Sequence, residues 1–337
     1  MTPRELVYST LEFRNKDGRV PRQMWLLPWS EINYGDRVDQ IHREFEDDIV
    51  NAPSILKSKT IAKGDPYMVG EYSDDWGCHF TNVQRGVIGQ AKEALVKDEQ
   101  WEDVDRVHIP VEWLDFDREA VNGFCRGTDK FVLAGCCPRP FEQLQFIRTT
   151  QELYSDLMDP PERMLKFMKK MHGFYCELLE EWARTEVDAL SFMDDWGSQK
   201  SLLINPNMWD EYFRPMYRDY INIAKKYGKK TFMHSDGNIL EIYPRLIEIG
   251  LDAVNSQIFC MGLEKVEKYR GKITFWGEID RQHLLPDGSA EDIETAVKEV
   301  YDRLWEDGGC IAQCEFGPGA NPDNVYTVYK TWNAIRN

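Results

Sequence analysis

The stretch Lys230-Thr-Phe-Met-His-Ser-Asp-Gly-Asn238 decides how the rest of the chain is read. It opens apolar and β-prone and closes polar. It then runs straight into Ile239-Leu-Glu-Ile-Tyr-Pro-Arg-Leu-Ile-Glu-Ile-Gly250, which reads as a helix ended by glycine. A strand that delivers a histidine and a carboxylate at its last residues, then turns into a helix, is how an α/β enzyme presents chemistry. Positions two apart on a strand share a face, so His234 and Asp236 can converge on one point. Gly237 relieves the turn between them. By itself the stretch also allows His234 to serve only as a cap for the helix that follows.

Outward from that stretch the same unit repeats. Apolar runs at 106–111, 130–135, 189–194, 230–235, 252–255, 273–278 and 309–314 alternate with amphipathic segments at 141–153, 160–184, 206–227, 238–249, 261–270 and 289–306. Gly228, Gly250, Gly271 and Gly308-Gly309 punctuate helix ends before strands. Such alternation implies a parallel sheet, and strands upstream bring the count to about eight, the number of a β/α barrel. The spacing therefore predicts an α/β fold, a (β/α)8 TIM barrel with an N-terminal extension; an open doubly wound sheet is the alternative. All 337 residues are expected in one domain, with the extension and first barrel elements in 1–104 and the remaining β/α repeats in 105–337. Within the first part, 1–20 reads as a loose lead-in and Pro21–Trp29 as a strand ending near Leu27. Arg37–Ile49 reads as a helix, Tyr67–Asn82 as a hairpin or strand and Gln90–Trp101 as a surface helix.

Composition narrows the function. A formal charge of −17 argues against a nucleic-acid surface, which needs basic patches, and disfavours a polyanionic substrate. The sequence has no apolar run of 18 residues and no signal-peptide core at Met1-Thr-Pro-Arg-Glu5, so no membrane association and a cytoplasmic location are expected. Eight cysteines without regular spacing or a CxxC pair are expected to be reduced, most of them small core residues. No GxGxxG or GxxxxGK[ST] loop supports a dinucleotide or P-loop site.

In a β/α barrel the active site forms at the carboxyl ends of the strands. There the chain places Asp194-Asp195-Trp196, His234-Ser-Asp236, Asn255-Ser-Gln257, Glu278-Ile-Asp280 and Cys314-Glu315. Some of these carboxylates, Asp195 and Asp280 among them, can instead cap the next helix. His234, Asp236 and Cys314 make a three-ligand set for zinc with a fourth position open, to which Glu278 or Glu315 could add an exchangeable donor. A thiolate with an imidazole favours Zn²⁺ over Mg²⁺ or Ca²⁺. Asp194 follows the apolar run Ala189–Met193 and is a candidate for proton transfer in a partly apolar setting, or a structural carboxylate accepting backbone N–H groups. Trp25, Trp29, Trp76, Trp196 and Trp276 near strand ends can line a roomy cavity or simply fill the core.

An ordered set of motifs resembles the uroporphyrinogen decarboxylase superfamily, and within it the cobalamin-dependent methyltransferase branch. The set is Asp75-Trp-Gly-Cys-His79, Phe141-Glu-Gln-Leu-Gln-Phe-Ile-Arg148 with Asp156-Leu-Met-Asp-Pro160, Phe192-Met-Asp-Asp-Trp-Gly197, Phe213-Arg-Pro215, His234-Ser-Asp-Gly-Asn238, and Trp276-Gly-Glu-Ile-Asp280 with Gln282 and Leu285-Pro286. The resemblance implies a β/α barrel and a zinc site of the form His-x-Cys-Gly plus a later cysteine. His234 matches it, Asp236 stands where the first cysteine would, and Cys314 precedes Asn324 in the expected register. It implies a methyltransferase that moves a methyl group between a small methylated or methoxylated molecule and a corrinoid protein. Asp194, Glu278 and Asp75 are then the catalytic candidates, and Arg22, Trp25, Trp196, Asn255, Gln257 and Trp276 the substrate-binding ones. The expected partners are a small-molecule methyl donor or acceptor, a corrinoid protein and a second copy of the chain in a homodimer. The alternatives are a metal-independent decarboxylase of a uroporphyrinogen-like acid, with Asp194 or Asp75 handling the proton, and a non-catalytic tetrapyrrole- or corrinoid-binding protein. Against the decarboxylase, Pro21-Arg-Gln-Met-Trp25 offers one arginine where that branch carries several.

Overall fold

The computed structural model describes residues 1–16 and 18–335. In chain order the strands are β1 (Arg22–Leu26), β2 (Ile49–Asn51), β3 (Gly70–Ser73), β4 (His79–Asn82), β5 (Gln90–Glu93), β6 (Phe131–Leu133), β7 (Ala189–Met193), β8 (Lys230–Ser235), β9 (Ala253–Ser256), β10 (Thr274–Trp276) and β11 (Cys310–Phe316). Eight of them form one parallel sheet in the order β1-β11-β10-β9-β8-β7-β6-β2. Its two end strands approach each other, and the Asp48 N–H donates to Arg22 O at 2.8 Å just before β2. With helices between consecutive strands, this is a nearly closed β/α barrel, as the periodicity predicts.

Two apolar layers follow from the alternation of side chains along each strand. Ile49, Phe131, Leu133, Ala189, Phe232, Ala253, Trp276 and Ile311 point inward and pack together inside the ring. Val132, Leu190, Phe192, Met233, Val254, Phe275, Ala312, Cys314 and Phe316 point outward into the larger layer beneath the helices. The amino-terminal end of the ring is closed by the helix Pro3–Leu11, which places Val7 and Leu11 in the inner layer. A capping box on Thr2 and Glu5 starts this helix, and the Gly309 N–H donates to Thr10 O at its end. The lead-in is therefore an ordered plug. Its charged residues hide the pattern, because few side chains, Val7 and Leu11 with Tyr8 beside them, meet the inner layer.

Three other expectations need correction. The eighth barrel strand is β2; Arg37–Ile49 is not one helix, since the helix is Pro28–Glu44 and Ile49 begins a strand. The run 106–111 is not a strand but lies among 3-10 turns at Val104–Arg106 and Val111–Leu114. Gln90–Trp101 contains no helix; Gln90–Glu93 is β5, the fully exposed edge of an antiparallel sheet in the order β3-β4-β5. That sheet bears out the hairpin read over Tyr67–Asn82. All eight cysteines are free.

Candidate metal centre

The inward parity of the strands carries past their ends and selects the side chains that meet at the carboxyl mouth. Asp195 continues the inward positions of β7, His234 and Asp236 those of β8, Asn255 and Gln257 those of β9, Glu278 those of β10, and Glu315 those of β11. One ligand atom each from Asp195, His234 and Asp236 lie within 4.8 Å of one another. His234 Nε2 is 3.5 Å from Asp236 Oδ1 and 3.6 Å from Asp195 Oδ1.

Neighbours fix this cluster. Asn255 donates its amide hydrogens to Trp276 O and to Gln313 Oε1 (2.9 Å), which leaves its carbonyl oxygen facing His234 Nδ1 at 2.6 Å. Nδ1 therefore carries the proton in the neutral ring, and the Nε2 lone pair points at the two carboxylates, the tautomer a metal-ligating histidine needs. The Asp236 N–H donates to Asp195 Oδ1 at 3.0 Å. Below them the loops after β7 and β8 cross in contact. A Cβ on Gly197 or on Gly237, whose φ is +75°, would overlap the other loop's backbone. Trp25 lies against the imidazole with ring centroids 5.1 Å apart and meets Trp276 at 4.9 Å.

Arg281, on the turn after β10, had no place in the sequence reading. Its guanidinium holds Asp236 Oδ2, bonds Glu315 Oε2 at 2.8 Å and approaches Glu278 Oε1 at 3.8 Å. Burial pushes the Glu278 carboxyl up to about 8, against the pull of Arg281. Burial also raises Asp195, with the Asp236 charge adding to it. Asp195, Asp236, Glu278 and Glu315 set four carboxyl groups around the one guanidinium of Arg281, an acidic lining that suits a divalent cation. Two buried polar atoms here, Asp236 Oδ1 and Gln313 Nε2, have no hydrogen-bond partner. Orphaned carboxylate oxygen, free imidazole lone pair and acidic lining together fit a cation held by Asp195, His234 and Asp236, donors that zinc accepts.

The structure does not bring every predicted residue here. Cys314 has the outward parity of β11: it is fully buried in the outer layer, its Sγ 3.7 Å from Tyr329 Oη, and burial drives its thiol up to about 12. Asp195 takes the place in the cluster that Cys314 was expected to fill. Asp194 points outward too, accepting from the Glu142 N–H at 2.7 Å and from the Tyr217 hydroxyl; it caps the helix Pro140–Arg148, which follows β6, and burial pushes it well above the usual carboxylate range. Trp196 is buried against Phe141 and Phe213 and donates its indole N–H to Tyr217 Oη at 2.9 Å. Arg22 lies at the first residue of β1, bonded to Asn333 Oδ1 at 2.9 Å and buried. Asp75 lies outside the barrel, where it accepts from the Trp113 indole at 2.8 Å and from the Ala62 N–H at 3.2 Å. Trp25, Trp276, Asn255, Gln257 and Glu278 do gather at the mouth. Gln257, Glu278 and Arg281 line a cavity of about 130 Å³ beside it, with Gln199, Phe259 and Cys260.

A β/α barrel with an imidazole–carboxylate cluster at the carboxyl ends of its strands is an enzyme architecture. A profile of the uroporphyrinogen decarboxylase family matches residues 78–335, and the chain belongs to that family. No curated protein sequence matches it significantly. Among solved structures, a methyltransferase from Methanosarcina mazei is similar over 99% of both chains, with a TM-score of 0.70 at 13% identity. A B12-independent methionine synthase from a Shewanella species is similar over 95% of both chains, with a TM-score of 0.44 at 14% identity. Among the described residues no helix is long and apolar enough to cross a membrane.

Proposed function

We propose that this chain is a zinc-dependent methyltransferase that moves a methyl group between a small methylated or methoxylated molecule and a corrinoid protein. The observation that carries the reading is the Asp195–His234–Asp236 cluster at the barrel mouth, with one carboxylate oxygen unpartnered. Methyl transfer is suggested by the full-length likeness to the Methanosarcina methyltransferase.

Each side chain then has a task. Asp195, His234 and Asp236 would hold the metal, and Asn255 keeps the imidazole in the ligating tautomer. A zinc ion bound there supplies Lewis acidity toward a substrate heteroatom. Glu278, protonated at neutral pH, stands in the adjoining cavity where it can donate its proton to a leaving oxygen, sulfur or nitrogen. Trp25 and Trp276 form an apolar wall beside His234 that keeps water from the ligands.

The competing decarboxylase would need cationic groups for a polyacid. Arg22 is buried outside the mouth and Arg281 is already engaged by carboxylates, so the geometry favours methyl transfer. The test is methyl transfer from a panel of small methyl donors to free cob(I)alamin, with and without a chelator. Chelator-sensitive methylation supports the proposal, whereas carbon dioxide release from an acidic substrate, unaffected by chelator, would replace it.

A further inference from the structure

The Asp236 carboxylate is used asymmetrically. Oδ2 is taken by the Arg281 guanidinium, while Oδ1 is buried, has no hydrogen-bond partner, and faces His234 Nε2 at 3.5 Å. Arg281 is itself held from the far side by Glu315 Oε2 at 2.8 Å, and its side chain is only 21% exposed. A carboxylate with both oxygens free can bind a cation through either or both of them, and the second bond would fill a coordination position. An oxygen bound to a fixed guanidinium is withdrawn from that choice.

The geometry points to Arg281 as a positioning residue that restricts Asp236 to one-oxygen ligation and so keeps a coordination position open toward the adjoining cavity. Arg281 itself lines that cavity, as do Glu278 and Gln257. At about 130 Å³ the cavity falls well below the roughly 300–1,000 Å³ of pockets that take drug-sized ligands, so the open position serves a small donor group rather than a macrocycle. The inference rests on the metal reading above and adds to it the residue that decides between a closed, structural coordination and an open, catalytic one. Lysine could not substitute fully, because a single ammonium cannot hold Asp236 and Glu315 in the flat fork that guanidinium provides.

The test uses the full chain loaded with Co²⁺, whose visible spectrum reports coordination number, and azide as the exogenous ligand. Wild type is expected to show the intense bands of a four-coordinate ion, and to bind azide with a further spectral change. In Arg281→Met the bands should weaken as Asp236 becomes bidentate, with azide affinity falling roughly ten- to a hundredfold, as losses of such outer partners do. Arg281→Lys should lie between the two. A folded Arg281→Met protein with wild-type bands and azide affinity overturns the inference while leaving the metal site standing. If Arg281→Met does not fold, the same comparison is made on Arg281→Lys, and wild-type values there overturn it. Wild-type protein that takes up no Co²⁺ overturns both this inference and the metal reading.

Discussion

His234 shows how much of the site is made by residues that never touch a substrate. Its ring is aimed by Asn255, Asn255 is aimed by Trp276 O and Gln313, and a Cβ on Gly277 would overlap the Gln313 side chain. Asn255→Ala should therefore lower metal affinity about ten- to a hundredfold, measured by competition with a chelator, without removing a ligand. Glu278 gives a prediction of a different kind. Its carboxyl is raised from 4.5 to about 8 by burial, so the folded chain keeps a proton there that the unfolded chain has released. The stability that this provides is complete below about pH 4.5 and is lost as the pH climbs to about 8. Chelator-treated wild type should accordingly lose more melting temperature between pH 5 and pH 8 than Glu278→Gln does. Equal losses would show that Glu278 is ionised throughout.

At the scale of the strand, one rule separates the side chains that meet at the mouth from those that do not. Side chains alternate, and a step of one residue moves a group from the mouth to the outer layer. The pairing of His234 with Asp236 respected that rule and was legible in the sequence. Asp194 and Cys314 have the opposite parity and point into the outer layer. The signal was present: Ala312, Cys314 and Phe316 share the apolar face of β11, while Gln313 and Glu315 share the polar one. Arg281 carried no such signal, since it lies on a turn where no period applies. The crossing of the loops after β7 and β8 belongs to the same scale. Gly237→Ala places a methyl group on backbone at a positive φ and should cost at least about 2 kcal/mol in urea unfolding. A variant as stable as wild type would mean that these loops separate freely.

Over the whole molecule, the repeat of apolar runs and glycine-ended amphipathic segments sufficed to name the barrel, because each β/α unit writes its own period. The parts that break the repeat were harder to read. β2 spans only Ile49–Asn51, too short to show alternation, and the plug helix, Pro3–Leu11, is a single short segment outside the repeat that sends Val7 and Leu11 inward. That plug seals the end of the ring opposite the metal cluster. Leu11→Ala should cost roughly 2–4 kcal/mol by leaving a cavity there, with metal binding unchanged. Within that ring the pairing of β7 with β8 brings together Asp195, His234 and Asp236, and the measurement that tests this most directly is zinc content by elemental analysis across variants. The account predicts about one zinc per chain in wild type and in Cys314→Ala, and almost none in Asp195→Asn or His234→Ala. Zinc retained by Asp195→Asn and lost from Cys314→Ala would contradict it.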